Sequence, residues 1–179
     1  FCSVSAGVDP ILRAGVLPES CLVSNSSGAY GVTIAEHLVM VTLMLLRRYP
    51  EYDAFIRSHT WRNDLQLRSI LGSRVTIVGT GDIGTRYAER IQSFQPAAII
   101  GINRTGRKRS PVYDEVVKQD ELESYLPKTD ILVLCRPGTK QTTNMISRER
   151  LAMLPESAYL INVGRGNSID QTALVEALN

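Results

Sequence analysis

The sequence has 179 residues, 44% hydrophobic and 21% charged, with a formal net charge of +2. That length suits one domain or one and a half, and the balance of residue types excludes a disordered or fibrous chain. So small a net charge does not by itself point to nucleic acid. The longest apolar stretch, Leu38 to Leu46, covers nine residues including Thr42, far short of the roughly 20 that a membrane helix needs. The start, Phe1-Cys2-Ser3-Val4, lacks the basic residues and long apolar run of a signal peptide. Cys2, Cys21 and Cys135 show neither paired nor metal-type spacing, so they read as reduced thiols of a cytoplasmic protein without a metal site. No methionine opens the sequence, and Thr172 to Asn179 stops inside a helical pattern. The expectation is therefore that both ends are cut.

In chain order, Asp9-Pro10 marks a turn or helix start, and Ile11 to Leu17 predicts a short helix closed by Gly15 and Pro18. Cys21 to Ser24 predicts a strand, and the small polar residues Asn25 to Gly31 predict a linker or hinge. The strongest helix runs from Thr33 to Arg48, with Thr33 and Glu36 placed for a capping box. Its apolar residues go nearly all the way round, which predicts burial on several sides or a subunit interface. A more polar helix follows from Pro50 to Ser58.

Beyond Leu71-Gly72 the pattern becomes strand–helix alternation. Strands are predicted at Arg74–Val78, Ala97–Ile102, Asp130–Cys135 and Tyr159–Val163. Helices are predicted at Ile83–Phe94, at Glu121–Leu126, from Ser147 through Leu154, and after Asp170. Continuous apolar strands between helices imply an α/β fold whose parallel sheet is covered on both faces.

The first of these strands runs directly into Gly79-Thr-Gly-Asp-Ile-Gly84. Set between strand and helix, this G-x-G-x-x-G spacing is a dinucleotide fingerprint. Gly79 allows the tight turn, Gly81 lets a pyrophosphate approach the backbone, and Gly84 allows helix to pack on strand. The alternative is a glycine-rich turn that binds nothing. An NAD site usually carries an acid at the end of the second strand to bond the ribose hydroxyls. Here that position is Asn103, 19 residues after Gly84, and Arg104, Thr105, Arg107, Lys108 and Arg109 follow it. Guanidinium groups suit a 2′-phosphate that a carboxylate would repel. NADP(H) is therefore favoured over NAD(H), the alternative being a solvated basic loop. Without interleaved aromatics, that loop does not read as a nucleic-acid site.

Several separated motifs then resemble, in order, the D-isomer-specific 2-hydroxyacid dehydrogenase family. They are Ser5-Ala-Gly-Val-Asp9, Ile34-Ala-Glu-His37, the glycine fingerprint, Pro137-Gly-Thr-Lys-Gln-Thr142, and Ile161-Asn-Val-Gly-Arg-Gly166 with Ile169-Asp170. The resemblance implies a Rossmann-like doubly wound sheet over residues 26–179, ending before its last strands. Residues 1–25 would be a remnant of a flavodoxin-like substrate domain. It also implies a homodimer formed through helix 33–48, and no membrane or nucleic-acid partner. The implied activity is NAD(P)-dependent hydride transfer at C2 of a small 2-keto or D-2-hydroxy acid. The alternatives are a dinucleotide-sensing corepressor or an inactive homologue.

Residue by residue, the resemblance makes Arg165 the catalytic arginine, which grips the substrate carboxylate and polarises its keto oxygen. Ser5, Ala6 and Gly7 would bind the same carboxylate, and Tyr30 would face the cleft from the hinge. Gly81, Asp82 and Ile83 would hold the pyrophosphate, while Asn103, Arg104 and Thr105 stand as cofactor-binding candidates from their place after the second strand. Cys135, Arg136 and Pro137 would line the adenosine half, with Thr142, Val163 and Gly164 near the nicotinamide and its ribose. The sequence departs from the family in one respect. The acid–base histidine and its glutamate would lie beyond the last helix, and neither His37 nor His59 matches them, so the chain alone is expected to be inactive.

Overall fold

Apolar runs of four to six residues dominate the centre of the molecule because nearly every strand position is buried. A computed structural model describes residues 1–13 and 15–178. Its strands are β1 (Arg74–Val78), β2 (Ala98–Asn103), β3 (Glu115–Lys118), β4 (Ile131–Leu134) and β5 (Tyr159–Asn162). They form one parallel sheet in the order β3-β2-β1-β4-β5. β1 lies at the centre, with Val75 beside both Ile99 and Ile131. This is the doubly wound order, whose direction of winding reverses between β1 and β4 and opens a crevice at the carboxyl ends of those strands.

Side chains alternate between two cores. Val75, Ile77, Ile99, Ile131 and Val133 pack with Leu38, Tyr87 and Ile91 on one face. Val78, Ile100, Ile102, Leu132 and Leu134 pack with Leu122, Leu126 and Ile146 on the other. Each such side chain contributes about 1.5–3 kcal/mol on full burial. Buried Thr76 fits among them because its hydroxyl bonds that of Thr129 at 2.7 Å.

The first core is roofed by α2 (Gly31–Leu46) and α4 (Asp82–Ile91). Ala35, Leu38, Thr42 and Leu46 are the buried side chains of α2, a spacing that defines a single face. Thr42 donates to the Leu38 carbonyl at 2.7 Å, so its oxygen accepts the Tyr87 hydroxyl at 2.9 Å. Burial pushes that tyrosine's pKa up to about 12. Val32 and Met40 of the same helix stay 41% and 49% exposed. The predicted capping box is not formed: α2 begins at Gly31 with Tyr30 as its N-cap, and Glu36 instead pairs with Arg90 of α4 at 3.5 Å. α3 (Tyr49–Arg57) follows and buries none of its residues.

The remaining helices are α1 (Asp9–Arg13), α5 (Arg148–Ala152) and α6 (Gln171–Ala177). The predicted caps Ser147 and Asp170 accept from the amides of Arg150 and Ala173. Several boundaries are corrected. The helix expected at 11–17 is Asp9–Arg13, with Ala14 outside the described residues. The strand expected at Cys21–Ser24 reduces, among the described residues, to a single parallel bridge between Cys2 and Ser24. The helix expected at 121–126 is a pair of 3-10 turns, Gln119–Ser124 and Leu126–Lys128. β3 was not predicted, because this edge strand is only four residues, EVVK, with Val117 alone fully buried. Among the described residues no helix is long and apolar enough to cross a membrane.

Candidate active site

The turn from β1 to α4 is shaped by two glycines. Gly79 has φ +111°, and a Cβ at Gly84 would stand 2.0 Å from the Gly79 carbonyl oxygen. Helix and strand can therefore meet only if residue 84 lacks a side chain. No side chain caps the start of α4, and a Cβ at Gly81 would meet nothing within 4 Å. This open glycine cradle before an uncapped helix N-terminus fits a pyrophosphate.

A cavity of about 350 Å³ lies at the crevice above the carboxyl ends of β1, β4 and β5. Gly81, Asp82 and Ile83 form one wall, and Cys135, Arg136 and Pro137 a second. Val163, Gly164 and Arg165 form the third, with Ala6, Gly7 and Tyr30 opposite. Twelve of the residues singled out in the sequence thus share one cavity. Asn25, Ser27, Gly28 and Gly31 line it too. They were missed individually, although the small, polar character of residues 25–31 marked the segment as a hinge.

Arg165 is held by its surroundings. Its carbonyl accepts from Asn162 Nδ2 at 2.9 Å and from the Ser168 amide at 3.0 Å, and Nη1 donates to the Gly164 carbonyl at 3.2 Å. Gly138 lies against its stem, where a Cβ would come within 2.9 Å of Arg165 Cγ. Tyr30 donates to the Val4 carbonyl at 2.7 Å, and Asn25 Nδ2 to the Ala6 carbonyl at 2.8 Å. The segment 25–31 is thereby tied to the loop bearing Ala6 and Gly7. Ser5 stands behind that loop, its Oγ accepting the Gly7 amide at 3.3 Å.

Asp82 puts a carboxylate at the first position of the helix that faces the cavity. Its Oδ1 accepts from Arg86 Nε at 2.7 Å, while Oδ2 is buried with no hydrogen-bond partner. That oxygen sits against Gly31, where any Cβ would fall 1.8 Å from it. Arg86 offsets the charge locally, which leaves the backbone of Asp82 as the part suited to a phosphate. Cys135 is a half-buried thiol whose pKa desolvation raises to about 12, so it is a poor nucleophile here.

A second hollow, of about 210 Å³, is lined by Thr80, Gly81, Asn103, Arg104, Thr105 and Arg109. Asn103 organises it: Nδ2 donates to Thr80 Oγ1 at 2.8 Å and to the Arg107 carbonyl at 3.1 Å. Its Oδ1 accepts the amides of Thr105 at 2.9 Å and Gly106 at 2.7 Å. Thr142 lies apart from both hollows. It is fully buried; its hydroxyl accepts the Thr139 amide at 2.7 Å and shares its one hydrogen between the carbonyls of Pro137 and Thr139, bracing the loop between them. Among the described residues no group of His, Cys, Asp and Glu could hold a metal ion. His37 and His59 are exposed, and neither lines the cavity.

Fold and site together define a dinucleotide-binding domain of the doubly wound class. Residues 39–179 match the D-isomer specific 2-hydroxyacid dehydrogenase, NAD binding domain, and the chain belongs to that family. A glyoxylate/hydroxypyruvate reductase of Arabidopsis thaliana is 34% identical over 177 residues, 97% of this chain and 53% of the relative. A D-isomer specific 2-hydroxyacid dehydrogenase family protein from Aeromonas salmonicida superposes with a TM-score of 0.90 at 30% identity, over 99% of this chain and 56% of that one. An NADPH-dependent glyoxylate/hydroxypyruvate reductase from Sinorhizobium meliloti, solved with NADP and sulfate, gives 0.86 at 27% identity, over 99% and 56%. The chain spans about half the length of the curated relatives it matches.

Proposed function

We propose that the protein is an NAD(P)-dependent oxidoreductase of small 2-keto and D-2-hydroxy acids that prefers NADP(H). The observation that carries this reading is that Arg165 shares one cavity with the fingerprint residues Gly81 to Ile83 and with Ala6 and Gly7. Gly81 and the first turn of α4 would hold the pyrophosphate, with Asn103, Arg104 and Thr105 at the adenosine ribose. Pro137, Val163 and Gly164 would line the rest of the bound cofactor, which supplies hydride chemistry at C2 of the substrate. Arg165 provides a fixed cationic fork for the substrate carboxylate and for charge developing on the keto oxygen. Ala6 and Gly7 close the other side of the same carboxylate. The NADP(H) preference rests on the loop after β2, which carries three arginines and a lysine where an acid would repel a 2′-phosphate.

Residues 1–25 belong, on this reading, to a substrate domain and 26–179 to the dinucleotide domain, with the cleft between them. The three free cysteines suit a reducing compartment such as the cytoplasm. Full-length protein mixed with NADPH and glyoxylate, hydroxypyruvate, pyruvate or bulkier 2-keto acids is expected to lose absorbance at the nicotinamide band. Unchanged absorbance with every one of them would refute the activity.

The protein is further proposed to dimerise through α2 and the segment after it. Val32 and Met40 on α2, Ile56 on α3 and Trp61 beyond it are 41%, 49%, 69% and 91% exposed. Such large apolar groups on one stretch of chain suit an interface. Met40→Glu combined with Trp61→Glu should convert a dimer to monomer in sedimentation, with helical content unchanged by circular dichroism. A double variant that still sediments as a dimer would move the interface elsewhere.

A further inference from the structure

Arg136 leaves the end of β4 and runs back over the fingerprint. A Cβ at Gly79 would come within 2.9 Å of its Cγ. Its Nη1 donates to Gln119 Oε1 and lies 3.9 Å from Met145 Sδ, so both partners are neutral. Among the described residues no carboxylate pairs with Arg136, Arg104 or Arg109. Burial and then the nearby charge of Arg104 hold the Arg136 guanidinium below its ordinary pKa. Gln119 directly follows Lys118 of β3, which pairs with Asn103 of β2, so this contact carries the Arg136 guanidinium to the strand end from which Arg104 leaves.

The two hollows join at Gly81. Arg136 lines the larger and Arg104 the smaller, and Gly81 is common to both. A ligand whose phosphates rest on Gly81 has an arginine on either side of it. Neither fork is neutralised by a carboxylate among the described residues, and arginine binds a compact dianion best through paired hydrogen bonds.

We propose that Arg136 and Arg104 form a two-sided clamp for the 2′-phosphate of the dinucleotide, with Arg136 the member that sets specificity from the β4 side. This rests on the NADP(H) reading above. Arg104 alone, on an exposed loop, would hold a phosphate in full competition with water. Arg136 is half-buried and fixed in place by Gln119, so its contribution is less screened. Gln119 suits this task because a neutral amide orients the guanidinium without neutralising it.

The test is calorimetric titration of the full-length protein with 2′,5′-ADP and with 5′-AMP. Wild-type protein should bind 2′,5′-ADP more tightly. Arg136→Met should lose about 10–100-fold in affinity for 2′,5′-ADP, and at least several-fold less than that for 5′-AMP. Arg136→Lys should recover part of the loss, since it restores the charge without the fork. Retained 5′-AMP binding also shows that the variant is folded. Equal losses for both ligands would make Arg136 an adenosine contact and overturn the clamp. No loss for either would overturn it too. If Arg104→Met erases the preference while Arg136→Met keeps it, the NADP(H) reading stands and the clamp falls. A wild-type protein that binds both ligands equally would remove the NADP(H) reading and the clamp with it.

Discussion

Arg165→Gln is expected to lower turnover of a 2-keto acid in the full-length protein by about 10²–10³-fold, the usual cost of removing a group that stabilises charge on a reacting oxygen. The reason lies in how the side chain is presented. Asn162 and Ser168 fix its backbone, Gly138 flanks its stem, and Nη1 is steered by the Gly164 carbonyl. Glutamine keeps polarity and much of the volume but loses the positive charge. Arg165→Lys restores charge without the planar fork and should fall between the two. Steady-state kinetics with glyoxylate, alongside the dissociation constant for NADPH, separates the possibilities. Turnover should collapse while NADPH binding stays within about twofold if Arg165 serves the substrate side as proposed. Unaltered turnover would take Arg165 out of the chemistry.

The second large effect concerns the fingerprint, where two neighbouring glycines should fail in different ways. Gly84→Ala places a methyl group 2.0 Å from the Gly79 carbonyl oxygen and 3.1 Å from Ile77 Cγ2. The carbonyl is backbone and cannot step aside, so α4 must lift from β1. A loss of about 1–3 kcal/mol in stability is expected, together with loss of NADPH binding. Gly81→Ala meets nothing within 4 Å, and its φ of −81° suits alanine. That variant should melt with the wild type and still bind NADPH weakly, since its methyl group stands where the ligand approaches. Thermal denaturation and NADPH titration on both variants give the contrast. A Gly81→Ala protein with undiminished affinity would place the pyrophosphate elsewhere.

How much was legible in the sequence follows from how local each signal is. β1, β2 and β4 were read from apolar runs because nearly every position of a doubly covered strand is buried, β5 from the apolar run that Leu160 and Ile161 contribute, and the caps Ser147 and Asp170 from single side chains bonding nearby amides. β3 was not, since its edge position lets Glu115 and Lys118 close a strand with little apolar signal. The supposed box at Thr33 and Glu36 had the right spacing, but Glu36 found a better partner on α4. In the site, motif residues were readable because backbone constraints leave glycines at fixed intervals. The contact of Asp82 with Gly31 was not, because it joins two helices 51 positions apart and depends on the tertiary packing of α2 on α4. The bracing role of Thr142 was hidden for the same reason: motif spacing marks a loop without saying which of its side chains face inward.

Asn103 has a consequence for how cofactor choice could change over evolutionary time. Its amide nitrogen and oxygen are both in use, the first toward Thr80 and the Arg107 carbonyl, the second toward the amides of Thr105 and Gly106. Aspartate would keep the bonds to the amides yet turn a second oxygen onto the Arg107 carbonyl, two acceptors face to face. The acid that marks NAD sites is thus barred as a single substitution while the loop keeps this shape. An acid at this position therefore calls for a second change that turns the Arg107 carbonyl away.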